Sequence, residues 1–291
     1  MAGGGHGTKA VIAALMANAG IAVAKFVGFV ITGSASMLAE SIHSVADSGN
    51  QGLLLLGGRR ARREADAAHP FGYGRERYFW AFVVALVLFS LGGAFAIFEG
   101  ISKIRHPHEL ESPAVAIAIL LFAIVLETYS FRTAIVEADK IRGDASWWQF
   151  IRRSKNPELP VVLLEDLGAE IGLLIALSAI TATLVTDEPV WDGIGTLTIG
   201  LLLTAIAIVL ASEMKSLLLG ETASPEVESA IRSAIEGDAA VERLIHMRTQ
   251  HIAPDELLVG AKVSFHNGLG VAQLAEAVNR VETSVRAHVP E

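Results

Sequence analysis

Two apolar stretches carry ionisable residues at helical spacing. In AESIHSVADSGNQGLLLL (residues 39–56), His43 and Asp47 stand four apart, and in VVLLEDLGAEIGLLIAL (161–177) Asp166 and Glu170 repeat that step. Four residues of helix rise about 6 Å and return to the same face, so each pair can offer two ligands to one ion. An ionised side chain at the middle of a bilayer costs roughly 2.5–3.5 kcal/mol on insertion scales, so such groups normally face a polar pathway or one another. A lone buried histidine would be read as a hydrogen-bonded core imidazole; its pairing with Asp47 favours a ligand site. Two ligands from one helix do not complete a coordination shell, and the second stretch supplies the rest. Asp166 ranks first there, then Glu170, then Glu165, which is turned about 100° from Asp166 and could instead line the cytoplasmic mouth.

One imidazole nitrogen with several carboxylate oxygens suits Zn²⁺ and also Mn²⁺, Fe²⁺ or Co²⁺. The chain has no cysteine, so thiolate ligation and disulfides are excluded. Imidazole can exchange a proton for a metal near neutral pH, which makes metal out and proton in the natural cycle. An intramembrane metalloenzyme would need further imidazoles beside a general base, as in H-E-x-x-H, and nothing of that kind occurs. No enzymatic activity is expected.

The elements that must hold these residues are membrane spans. Of 291 residues, 52% are hydrophobic, and the mean hydropathy of +0.48 exceeds what a soluble core needs. Six apolar segments near 10–32, 34–58, 78–100, 113–136, 160–185 and 190–212 approach the roughly 20 residues that cross about 30 Å of hydrocarbon. The start, MAGGGHGTK, shows no cleavable signal, so the first span is expected to stay. A net charge of −8 gives no dominant basic surface for nucleic acid. Arginines 59, 60, 62, 63, 75 and 77 follow the second span, and Lys140, Arg142, Arg152, Arg153 and Lys155 follow the fourth. By the positive-inside rule these connections, and both termini, are cytoplasmic. In the long connection expected at 137–159, Trp147 and Trp148 beside Arg152 and Arg153 suit a helix at the lipid headgroups, or simple packing on the protein.

Residues 1–219 are thus expected to form a six-span all-α transmembrane domain, and 220–291 a cytoplasmic tail. Ser224-Pro225-Glu226 reads as a helix start, with a helix over about 225–236. Leu257, Val259, Ala261, Val263 and Phe265 alternate as in a strand with one buried face. The turn APDE precedes that strand, and VAQLAEAVNRVETSVRAH has the pattern of a second amphipathic helix. The order αββα suggests a small α+β, ferredoxin- or metallochaperone-like sandwich with little core of its own, for which pairing with a second copy is plausible.

Taken in order, GSASMLAESIHSVADSGNQ, HPFGYGRERYF, the acidic fifth span, WDGIGTLTIG and the tail resemble the cation diffusion facilitator family along essentially the whole chain. NQGLLLLGGR and VVLLEDLGAEIGLLIA are most similar to the branch of the animal mitochondrial zinc transporter. The resemblance implies a homodimer, multi-pass in a cell (inner) membrane, that exports divalent cations, Zn²⁺ first among them, by alternating access with protons as counter-ion. It implies a transport site with two residues from the second span, matched by His43 and Asp47, and two from the fifth, of which Asp166 matches one. The other, usually histidine, is Val162 here, so the fourth ligand falls to Glu170, Glu165 or water. A weaker loop site is suggested by Asp66 and His69, although Tyr73 replaces the family's second histidine. In the tail His246 matches a metal-binding position, but with His251 and His266 it lacks the full ligand pattern, and solvated strand histidines are the simpler reading. Glu127, in the fourth span, could pair with a basic loop residue as a gate or sit near the membrane interface, and Asp192 could simply cap the sixth span.

Overall fold

The computed structural model describes residues 19–110 and 112–289. The beginning of the first expected span, 10–18, lies outside the described residues. Helix α1 covers Ala19–Thr32, α2 Ala35–Ala61, α3 Glu76–Arg105, α4 Pro113–Arg142, α5 Trp147–Arg153, α6 Glu158–Thr186 and α7 Val190–Leu219. Helix α8, Pro225–Glu236, strands β1, Val241–Ala253, and β2, Glu256–Phe265, and helix α9, Val271–His288, complete the order.

Helices α3, α4, α6 and α7 are long and apolar enough to cross a membrane. The two other expected spans are helical over their described residues, but do not meet the same test. The described part of α1 is short. Helix α2 has 27 residues, about 40 Å at 1.5 Å per residue, but Glu40, His43, Asp47, Asn50 and Gln51 dilute its apolar character. The residues that make α2 chemically interesting are the ones that lower its hydropathy.

The described chain divides into two compact units, one of residues up to Arg59 with Arg77–Met214, the other of Arg60–Glu76 with Lys215 onward. In the first, Met37, Tyr78, Leu88, Leu120, Leu173 and Leu203 are among the fully buried side chains. Asp192, fully buried near the start of α7, does more than cap its own helix. Its carboxylate accepts hydrogen bonds from Ser34 Oγ (2.8 Å), Ala35 N (2.8 Å) and Ser36 Oγ (2.7 Å), so it satisfies donors at the beginning of α2 from another helix. Arg77, at the start of α3, makes a bidentate pair with Glu158 at the start of α6, at 2.6 and 3.0 Å.

The long connection expected at 137–159 is mostly helical instead. Helix α4 continues to Arg142, helped by the i,i+3 ion pairs Glu137–Lys140 and Asp139–Arg142. Helix α5 then opens with a capping box at Ser146 and Gln149. Phe150 anchors α5 in a cluster with Ala134, Ala138 and Leu163. Trp147 and Trp148 remain partly exposed, beneath the guanidinium groups of Arg142 and Arg152 at 4.4 and 5.7 Å.

In the second unit β1 and β2 form an antiparallel hairpin, with Ala253 opposite Glu256 across a two-residue turn. Ser224 caps α8 by accepting from Val227 N. Leu257, Val259, Val263 and Phe265 pack onto a core of Ile231, Ile235, Val241, Leu244, Val281 and Val289, as the alternation in β2 requires. Gly74 lies so close to the hairpin end that a β-carbon on it would sit 2.3 Å from that of Ala253. The segment 60–76 therefore belongs to this unit in packing.

Candidate metal centre

Helix periodicity brings His43 and Asp47 onto one face of α2, with His43 Nδ1 3.5 Å from Asp47 Oδ1. His43 is fully buried. Neither of its ring nitrogens, nor Asp47 Oδ1, has a hydrogen-bond partner among the described residues. Buried polar atoms normally find partners, because an unmet one costs about 1–3 kcal/mol. An imidazole offers one nitrogen to an ion, so His43 Nδ1 and Asp47 Oδ1, 3.5 Å apart and both unpartnered, are two donors suited to a cation.

Helix α6 faces Asp47, whereas His43 does not line the cavity between the two helices. Asp47, Glu165 and Asp166 line one cavity of about 10 Å³, together with Ser44, Glu127 and Val162, room for about one water. The cavity thus collects an acid from α2, one from α4 and two from α6. Asp166 accepts from Ser130 Oγ at 3.2 Å, and Glu165 is held by Asn50 Nδ2. Glu170 does not line the cavity: one oxygen accepts from Thr128 Oγ1 at 2.9 Å, and the other, Oε2, is buried without a hydrogen-bond partner among the described residues. Of the three candidate acids in α6, the structure therefore sets Asp166 and Glu165, and not Glu170, in the cavity with Asp47. Among the described residues no three histidine, aspartate or glutamate side chains are already grouped to hold a metal.

The secondary candidates are differently placed. Asp66 Oδ1 accepts from the amides of Ala68 (3.0 Å) and His69 (2.7 Å), while Oδ2 accepts from Tyr73 Oη (2.7 Å). Its carboxylate organises its own loop, with His69 Nδ1 3.4 Å away. The Tyr73 hydroxyl, then the His69 amide, hold the Asp66 carboxyl down to about 2. His246 is exposed on β1 with Lys262 as its cross-strand partner, a cation beside any ion it would take. His251 is buried and His266 exposed.

Sequence reasoning missed Lys25. It is fully buried in α1 and its Nζ lies 2.8 Å from Ser44 Oγ, 3.2 Å from Glu40 Oε2 and 3.8 Å from Glu127 Oε1. Glu127 is thus paired with a buried residue of α1 and not with a loop residue. A single lysine within AGIAVAKFVGFV was the available signal, since an ammonium in hydrocarbon needs a partner as much as a carboxylate does.

Long apolar helices, with orphaned imidazole and carboxylate groups turned inward, define a multi-pass integral membrane protein. The cation efflux transmembrane domain matches residues 11–219, and the chain belongs to that family; the matched domain is a membrane-transport module and not that of an enzyme. Among its relatives is the proton-coupled zinc antiporter SLC30A9, mitochondrial, of Xenopus laevis, 32% identical over 88% of this chain and 46% of the relative. Metal tolerance protein C4 of Arabidopsis thaliana is 30% identical over 95% of this chain and 61% of its own length. Zinc transporter ZitB of Pectobacterium atrosepticum is 27% identical over 82% and 70%. The chain spans about half the length of the animal antiporters it matches.

Proposed function

We propose that the chain is a proton-coupled efflux transporter of divalent metal cations, with Zn²⁺ as substrate, working by alternating access across six spans. One ion binds between α2 and α6 on His43, Asp47 and Asp166. Glu165 is the fourth ligand, since it shares the cavity with Asp47 and Asp166 whereas Glu170 does not. The observation that carries this reading is His43 Nδ1 and Asp47 Oδ1, 3.5 Å apart and left without hydrogen-bond partners among the described residues in a buried site. The zinc-antiporter names of the relatives support the choice of metal and counter-ion.

The mechanism follows from the donors. Carboxylates and imidazole compete for protons and for metal, so an ion arriving from the cytoplasm displaces protons and departs on the far side as protons return. The two acids on α6 and the pair on α2 sit on separate rods, so a relative movement of the helices changes the number of donors the ion meets. The basic connections support a reading with both termini on the cytoplasmic side of a cell (inner) membrane, although the animal relatives are named mitochondrial. The helix–strand–strand–helix tail, exposing Val271, Leu274 and Val278 on α9, pairs two copies into a homodimer.

Zn²⁺ binding to purified protein tests the site. The wild type is expected to hold one ion per chain, and His43→Ala, Asp47→Ala and Asp166→Ala to weaken binding at least tenfold each. Glu170→Gln is expected to change it little. Undiminished affinity in Asp47→Ala would remove the site from α2.

A further inference from the structure

Lys25 has no part in the binding just described, and burying an ammonium in a span is as costly as burying an acid. Its three partners come from two other helices: Glu40 and Ser44 on α2, and Glu127 on α4. Glu40 is fully buried, and while its Oε2 meets the ammonium, its Oε1 has no hydrogen-bond partner among the described residues. That second oxygen lies over Gly172 of α6, where a β-carbon would come within 2.5 Å of it. The glycine makes room for the carboxylate. Two buried acids, one with an unused oxygen, and a hydroxyl therefore surround one positive charge, all of the donors being oxygen.

We infer that Lys25 occupies a second cation position, formed by Glu40, Ser44 and Glu127, and that its tethered ammonium limits the protein to one divalent ion. The inference rests on the transport site proposed above. Glu127 and Ser44 also line the cavity beside Asp47, so without the lysine the two positions would lie side by side and a second ion could enter. Lys25 is a specificity determinant that acts by excluding an ion. Its all-oxygen surroundings suit Mn²⁺ better than Zn²⁺, which gives the two positions different preferences.

The test counts ions bound to the purified full chain by equilibrium dialysis, with Zn²⁺ and Mn²⁺ as separate probes. At an ion concentration that just fills the wild-type site, Asp47→Ala, its affinity weakened at least tenfold, is expected to hold almost no ion. Asp47→Ala with Lys25→Met is expected to bind one Mn²⁺ per chain, and to lose it again when Glu40→Gln is added. If Asp47→Ala alone still binds one Zn²⁺, the transport-site reading fails. If Asp47→Ala is empty and the folded Lys25→Met double variant is empty as well, the lysine inference fails and the transport site stands. Should the double variant fold only when Mn²⁺ is present, a divalent ion has replaced the ammonium, as inferred. Should it stay unfolded at every Mn²⁺ concentration while Asp47→Ala folds, the position accepts no divalent ion and Lys25 is a structural ion pair only.

Discussion

Val162 shows what a single side chain can decide. It lines the cavity with Asp47 and Asp166, yet offers no donor, which leaves the proposed site with mostly oxygen ligands. Val162→His adds an imidazole and is expected to raise the preference for Zn²⁺ over Mn²⁺ at least several-fold in competitive binding. An unchanged preference would mean that Val162 does not face the ion. Asp66 gives a pH prediction outside the membrane. Its carboxyl, ordinarily near 3.8, is held to about 2 chiefly by the Tyr73 hydroxyl. A depressed value means that the charged form is favoured by the fold, so its contribution is complete above about pH 4 and fades as pH falls towards 2. Hydrogen exchange at the Ala68 and His69 amides, corrected for intrinsic rates, should keep its protection near pH 3 in the wild type. In Tyr73→Phe that protection is expected to fade at a higher pH.

Among the elements, α2 depends on a residue far away in sequence. Asp192→Ala would strand the buried donors of Ser34, Ala35 and Ser36, at about 1–3 kcal/mol for each group left unmet. Thermal unfolding in detergent should show a large loss of stability, with Asn at the same position intermediate. An unshifted transition would mean that water replaces the carboxylate. How much was legible differs between elements for physical reasons. Helix α8 was expected over about 225–236 and spans Pro225–Glu236, because a Ser-Pro-Glu start and one apolar face are local signals. Helix α4 ran past its expected end because Glu137–Lys140 and Asp139–Arg142 extend a helix without adding apolar character. At the site, four-residue spacing put His43 with Asp47 correctly on one face. The same spacing promoted Glu170, which meets Thr128 on α4, over Glu165, because periodicity tells which residues share a face and not which neighbour that face meets. Lys25 and Asp192 act through partners on other helices, and no window along the chain contains those.

For the whole molecule, the absence of cysteine from the sequence makes orientation directly measurable. A single cysteine at Ser154, between α5 and α6, should react with an impermeant maleimide only from the cytoplasmic side, and one at Thr186, at the end of α6, only from the other. Labelling of both from one face would contradict the proposed arrangement of spans. Orientation settles the direction of transport but not its existence. The most direct test is counter-transport in sealed proteoliposomes carrying a pH-sensitive dye within and Zn²⁺ outside. Zn²⁺ uptake driven by an outward proton gradient, with matching proton release and loss of both in Asp47→Ala, is the predicted result. Zn²⁺ movement that ignores the gradient, or that persists unchanged in Asp47→Ala, would contradict a proton-coupled site built on α2 and α6.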